Sequence, residues 1–237
     1  LSDSYSLYRL WNNVVCGTCR MEENNKRNIM IYKTVIVADG VFPEHDIPLS
    51  YIRNAERIIC CDGSVKNLIN AGYIPEAIVG DMDSLTEDLS DRFADRIFPD
   101  DNQDTNDLTK AVRWCSESGY KDLAIVGATG KREDHTVGNI SLLAEYIKDV
   151  NVIMVTDTGL MLPFLKSSAI STFPGQQVSI FSIDPDTEIT STGLRYPLLR
   201  TKLRNWWFAT LNEALGESFS LEFSGGRVIV YLKFPVR

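Results

Sequence analysis

The sequence predicts two domains, a doubly wound and mostly parallel α/β domain over 29–158 and an antiparallel β-sandwich over 159–237. Three observations carry this reading. Runs that stay apolar throughout, at 34–38, 57–61, 77–79, 123–126 and 152–155, alternate with amphipathic stretches, as parallel strands covered on both faces do. After Asp157-Thr158-Gly159 the helical spacing stops. Short runs at 177–183, 219–223 and 228–232 are then punctuated by Pro174-Gly175, Asp184-Pro185 and Gly225-Gly226, an all-β texture. Finally, a polar cluster follows one apolar run after another, where ligands bind in open α/β sheets.

Each element has its own local warrant. The strand over 34–38 ends at Asp39-Gly40, and the strand over 57–61 ends at Asp62-Gly63. A helix follows with Asp62 as its expected N-cap, Val65, Leu68 and Ile69 on one face, Gly72 as its stop and Pro75 blocking continuation. The strand over 77–79 leads into Gly80-Asp81-Met82-Asp83-Ser84, and a short strand over 96–98 leads into an acidic loop at 100–107. Asn106 should cap a helix over 107–118 that places Leu108, Ala111, Val112 and Cys115 on one face and stops at Gly119. The strand over 123–126 runs into Gly127-Ala128-Thr129-Gly130. A helix over 135–148 should then bury Val137, Ile140, Leu143, Ala144 and Ile147, before the strand over 152–155.

Composition excludes several classes of function. The 237 residues are 44% hydrophobic and 24% charged, ordinary values for a globular protein. A net charge of −8 and a pI near 4.9 leave no basic field for nucleic acid or anionic lipid. No apolar run approaches the ~18 residues that span a bilayer. The N-terminus lacks a basic-then-apolar secretory pattern, so a cytoplasmic protein is expected. Residues 1–28 are expected to be a poorly ordered extension, with Met21 a candidate natural start. Cys60, Cys61 and Cys115 fall in apolar patterns and read as buried reduced thiols; Cys16 and Cys19 lack the further ligands that a zinc site needs.

The chemistry centres on Asp81 and Asp83. Carboxylates at i and i+2 beyond a strand end can point into one crevice, where they repel unless a cation sits between them or one stays protonated. Oxygen-only ligands suit Mg²⁺, which is commonly held by carboxylates together with substrate phosphates. An isolated D-x-D is more often a solvated turn, and what makes a site here is the agreement of five polar clusters on one rim. Asn102-Gln103-Asp104-Thr105-Asn106-Asp107 is dense in oxygen ligands, and a helix N-terminus stabilises Asp107 as a carboxylate and candidate third ligand. In the stretch from Gly127 to His135, backbone amides and a helix start can cradle phosphate, with Lys131 or Arg132 neutralising charge. His135 can orient a phosphate or position Asp134, or serve only as a helix residue.

Cys61-Asp62-Gly63, Gly80-Asp81-Met82-Asp83-Ser84, Gln103 to Lys110, Gly127 to His135, Thr192 to Leu198 and Ala209 to Glu213 resemble, in order, the motifs of the thiamin pyrophosphokinase family. The resemblance covers roughly residues 34–234. It implies an α/β ATP- and Mg²⁺-binding catalytic domain, a C-terminal β-sandwich for thiamine binding and dimerisation, and a homodimer with thiamine sites between subunits. The implied reaction moves the diphosphoryl group of ATP to the hydroxyl of thiamine, giving thiamine diphosphate and AMP. Asp81, Asp83 and Asp107 would hold Mg²⁺, Arg132 and Lys131 would stabilise charge, and Asp104 or a metal ligand would accept the hydroxyl proton. Asp134 and His135 would belong to the phosphate side, Asp62 and Gln103 to the nucleotide or thiamine side, and Asn212 to thiamine.

Three departures from the family pattern stand out: Asn106 for a usual Thr, Lys131 for a Gly, and Leu211 for a Ser. Trp206-Trp207 can stack on an aromatic ring or belong to the β-domain or dimer core. The competing enzyme readings are a pyrophosphokinase for a pterin alcohol and a metal-dependent nucleotide phosphohydrolase. A silent thiamine- or nucleotide-binding module is the remaining class.

Overall fold

The computed structural model describes residues 32–235. The expectations for 1–28, for Cys16 and Cys19, and for the start of the first domain at 29 lie outside these residues. The chain divides into two compact units, one spanning Tyr32–Thr158 and the other formed, among the described residues, by 159–235. Among the described residues no helix is long and apolar enough to cross a membrane.

In the first unit the parallel strands are β1 (Thr34–Val37), β2 (Arg57–Cys61), β3 (Ala77–Gly80), β4 (Ile97–Pro99), β5 (Asp122–Val126) and β6 (Asn151–Val155). Their order is β6-β5-β1-β2-β3-β4, every neighbour parallel. Val35, Ile36, Val37, Ile59, Ile78 and Ile125 have no exposed surface, as expected of strands apolar on both faces. Each such side chain contributes about 1.5–3 kcal/mol on burial. The helices are α1 (Asp46–Asn54), α2 (Val65–Asn70), α3 (Glu87–Arg92), α4 (Asp107–Glu117) and α5 (Glu133–Tyr146).

Helix α4 forms as its sequence predicts. The Asn106 side chain accepts the Thr109 N–H at 2.9 Å, and Leu108, Ala111, Val112 and Cys115 are buried. Gly119, at φ 84, closes the helix while the Tyr120 N–H returns to Cys115 O at 2.8 Å. Helix α2 departs from expectation at its start. Asp62 opens a 3₁₀ turn, Asp62–Ser64, and makes no cap; its carboxylate bonds elsewhere, as described below.

Helix α5 also differs from its predicted burial. It starts at Glu133 and buries Leu143, Ala144 and Tyr146, while Ile140 and Ile147 are half-buried and Val137 is exposed. The face carrying Asn139 is turned inward by hydrogen bonds to Asn106 and Ala128. Val137, two residues earlier, therefore points about 200° away. Helices α1 and α3 were not anticipated. Helix α1 carries Pro48 in its first turn, where a missing N–H costs nothing, and its N-terminus is capped by His45 Nδ1, which accepts the Ile47 N–H at 3.2 Å. Helix α3 buries no residue and so has no apolar stripe to read.

Among the described residues the second unit is all β and forms a sandwich. One antiparallel sheet has the order β12-β9-β14-β7, from β7 (Gly159–Phe164), β9 (Gln177–Ser182), β12 (Ala209–Glu213) and β14 (Val228–Lys233). The other has the order β11-β10-β13-β8, from β8 (Ser168–Ser171), β10 (Glu188–Thr192), β11 (Thr201–Lys202) and β13 (Ser218–Glu222). Alternate residues such as Val178, Ile180, Ile170, Phe219 and Leu221 supply its core. A bulge in β12 between Ala209 and Asn212 holds Leu211 at φ 57 and leaves it 74% exposed.

Candidate active site

Strands β2, β3 and β4 extend the first sheet to one side of β1, and β5 and β6 extend it to the other. The strand order thus reverses between β1 and β5, and the crevice for a ligand opens beyond their carboxyl ends. Two loops meet there. The Gly40 N–H donates to Gly127 O at 2.6 Å and the Val41 N–H to Thr129 O at 2.9 Å. Gly40 is required by this approach, because a Cβ would stand 2.4 Å from both Gly127 O and Thr129 O. Lys131, at φ 55, adds a bond from its Nζ to Asp39 Oδ1 at 2.6 Å. The left-handed backbone at this position suits a glycine, which accounts for the departure being tolerated only with strain.

Next to this seam stands a carboxylate cluster. Asp62, Asp81 and Asp83 each place an oxygen within 4.8 Å of the other two. Met82, at φ 69, bends the chain between the two aspartates of the D-x-D, and the Asp83 N–H donates to Asp81 Oδ1 at 3.3 Å. Asp62 is only 3% exposed; it accepts the Gly63 N–H at 2.8 Å and the Ser84 N–H at 3.4 Å. A Cβ at Gly80 would lie 2.8 Å from the Asp62 carboxyl carbon, so glycine is what lets β3 pass so close.

Burial, with Asp107 and Asp81 nearby, pushes the Asp62 carboxyl above the usual carboxylate range. Asp81 is held below that range by the Asp83 amide, by Lys110, and by the Asp83 and Gln103 side chains. Three oxygen donors this close, one penalised for its charge by burial, form a donor set that fits a hard divalent cation such as Mg²⁺. Asp107, expected as the third ligand, is not in this trio. Its Oδ1 accepts a bond at 3.0 Å from Lys110 Nζ, which also lies 3.6 Å from Asp81 Oδ2.

The loop at 100–107 is braced at its start by an Asp100–Arg113 ion pair. Asp104 and Gln103 are exposed on it; the Asp104 N–H donates to Asn102 Oδ1 at 2.8 Å, and the Gln103 amide reaches the Asp81 carboxylate. From its end a relay of hydrogen bonds crosses to the glycine-rich loop. Asn106 Nδ2 donates to Asn139 Oδ1 at 3.0 Å, and Asn139 Nδ2 donates to Ala128 O at 2.9 Å. Asn106 Oδ1 meanwhile accepts from Thr109, whose hydroxyl bonds the Tyr146 hydroxyl at 2.7 Å. Asn106 fills this place with separate donor and acceptor atoms, where a threonine would have one shorter hydroxyl for both.

Arg132 and Asp134 face each other at the start of α5, with contacts of 2.5 and 3.1 Å. Arg132 and the His135 N–H together lower the Asp134 carboxyl to about 2. His135 is exposed on the first turn of α5, and its backbone N–H donates to Asp134 Oδ1 at 2.9 Å. In the second unit Asn212 is buried, with its amide engaged by the Tyr196 and Glu213 backbone. Trp206 packs its ring 5.9 Å from Phe181, while Trp207 is 71% exposed beside Phe208.

From the sequence, Lys110 and Asn139 had no role assigned, and Asp39 stood only as part of the polar turn after the strand over 34–38. Lys110 left a local signal, its place one turn after a first-turn aspartate on α4, and Asn139 left none.

Two family models match the chain in succession. That of the thiamin pyrophosphokinase catalytic domain covers residues 49–155, and that of the thiamin pyrophosphokinase substrate-binding domain covers residues 159–231. The thiamine pyrophosphokinase of Bacillus subtilis is 33% identical over 187 residues, 70% of this chain and 82% of the relative. Thiamine pyrophosphokinase 2 of Arabidopsis thaliana is 30% identical over 153 residues, 58% of this chain and 57% of the relative. The chain thus spans little more than half the length of its plant relatives. The crystal structure of the B. subtilis protein superimposes with a TM-score of 0.70 at 25% identity, covering 86% of this chain and 100% of the other. The yeast thiamin pyrophosphokinase structure shares the fold at a TM-score of 0.72 and 17% identity, covering 85% and 86%.

Proposed function

Because the chain belongs to the thiamin pyrophosphokinase family, we propose that it transfers the diphosphoryl group of ATP to the hydroxyl of thiamine, giving thiamine diphosphate and AMP. The observation that carries this reading is the Asp62–Asp81–Asp83 cluster on the same rim as a glycine-rich loop and the start of α5. Mg²⁺ held by these three carboxylates would neutralise the oxygens of the polyphosphate.

The chain's own residues account for the rest. The backbone of 127–130 and the N-terminus of α5 receive phosphate oxygens. Lys131 and Arg132, each paired with a carboxylate here, turn those charges toward the polyphosphate when it binds. The thiamine oxygen attacks the β-phosphorus, the bond from that phosphorus to the α–β bridging oxygen breaks, and AMP leaves. Asp104, exposed on its loop, is our choice to accept the hydroxyl proton. Such chemistry depends on positioning and electrostatics more than on covalent steps.

In the second unit Asn212 acts by bracing the Tyr196 backbone, and the exposed Tyr196, Trp207, Phe208 and Leu211 offer apolar surface for thiamine and for a second copy of the chain. This surface supports the reading of a homodimer with thiamine sites between subunits, for which light scattering of the eluted protein should give twice the chain mass. The direct experiment supplies Mg²⁺ and ATP with and without thiamine and separates products by chromatography. Equal AMP and thiamine diphosphate, formed only with thiamine and lost in Asp81→Ala, is the expected result. AMP or ADP formed regardless of thiamine would instead identify a phosphohydrolase, and turnover only with a pterin alcohol would identify that acceptor.

A further inference from the structure

Among the described residues, Lys110 is the bulkiest of the fully buried side chains. It lies on α4, and its ammonium sits between two carboxylates, 3.0 Å from Asp107 Oδ1 and 3.6 Å from Asp81 Oδ2. Asp107 belongs to the first turn of the same helix, while Asp81 follows β3, so the ammonium ties two separate elements together. Burying an ammonium is costly, and an apolar side chain of similar length usually serves a core as well or better. A lysine kept in such a place points to its charge. Enclosed as it is, the ammonium cannot swing out to meet a polyphosphate as an exposed Lys131 can.

The cluster explains what that charge does. Four carboxylates, Asp62, Asp81, Asp83 and Asp107, converge here, and the first three are placed to share one divalent cation. Asp81 is common to both groupings, with Asp83 and Asp62 on one side and Lys110 with Asp107 on the other. Sites that move phosphoryl groups often hold two divalent cations that share a bridging carboxylate. We propose that Lys110 is a positioning residue that takes the place of a second divalent cation, bridging Asp81 and Asp107 so that the cluster holds one metal ion and Asp81 is oriented before that ion arrives. The inference rests on the metal-dependent reading above. Replacing the ammonium by a neutral group leaves Asp81 and Asp107 without a shared cation and opens their oxygens to a second ion.

The test counts Mn²⁺ bound to the nucleotide-free protein by the loss of the free-ion electron paramagnetic resonance signal, for wild type, Lys110→Met and Lys110→Arg. The expected counts are one, two and one; the arginine variant keeps the charge and reports on folding of the helix. Activity at fixed metal–nucleotide complex and rising free Mg²⁺ gives a parallel readout, first-order in free metal for wild type and arginine, second-order for methionine. One ion in all three proteins overturns the role of Lys110 and leaves the metal-dependent reading intact. No ion in wild type, with thiamine diphosphate still formed, overturns the placement of the metal and the inference together. If the methionine variant does not fold, the same counts on Lys110→Gln decide the matter.

Discussion

Gly40→Ala isolates the seam between the two loops at the switch point of the sheet. The added Cβ would lie 2.4 Å from Gly127 O, 2.4 Å from Thr129 O and 2.9 Å from Thr129 N, all backbone atoms that no side-chain rotation can clear. An ordinary C···O contact is about 3.3 Å or longer, so one loop must retreat by roughly 1 Å. Overpacking of this kind costs about 1–3 kcal/mol, and the Gly40-to-Gly127 and Val41-to-Thr129 hydrogen bonds are the first to stretch. For a chain of this length each kcal/mol moves the melting temperature by about 2–4 °C. Retreat by that distance also misplaces the glycine-rich loop, and about 1 Å of misplacement in a transfer site costs about 10²-fold in rate. The assay is kcat for thiamine diphosphate formation beside a thermal melt. Gly138→Ala is the control: it sits inside α5 with open space around its Cβ position, and should gain about 0.5–1 kcal/mol of stability at unchanged kcat. Equal kcat for Gly40→Ala and wild type would refute the idea that this seam sets the loop.

Three further predictions use other parts of the rim. The folded pKa of Asp62 lies above its unfolded value near 3.8, so its ionised form opposes folding and that penalty grows as pH rises through the folded pKa. Metal-free Asp62→Asn should therefore melt higher than wild type at pH 7, with the gap closing toward pH 3, while turnover is lost; a lower melt at pH 7 contradicts this. Asn139→Ala removes the relay between Asn106 and Ala128 and should raise the KM for ATP more than it lowers stability, by about 1–2 kcal/mol of binding; unchanged kinetics would reduce the relay to packing. Burial pushes the Cys60 and Cys115 thiols up to about 12 and Cys61 upward as well. Peptide mapping after alkylation at pH 8 should find all three unlabelled in the native protein and labelled after denaturation.

What could be read from the sequence was mostly local. Asn106 capping α4 and Gly119 ending it lie within a turn of the groups they bond, and the D-x-D of Asp81 and Asp83 is likewise a two-residue matter. Positions at the ends of apolar runs were legible because a parallel sheet puts every carboxyl end on one rim. What escaped depended on distant segments. Asp62 has the side chain of a helix cap, yet Gly80 lets β3 come close enough to draw its carboxylate into the cluster. Asn139 meets Asn106 across 33 residues, and the same contact turns α5 and exposes Val137. The spacing of Lys110 from Asp107 was legible, but its burial and its contact with Asp81, which follows a different element, were not.

Transfer of an intact diphosphoryl group to thiamine can be followed with ATP labelled in its γ-phosphate. With Mg²⁺ and thiamine present, the label should appear in thiamine diphosphate in step with unlabelled AMP, and none should appear as free phosphate. Label released as free phosphate or pyrophosphate at the same rate without thiamine would contradict it.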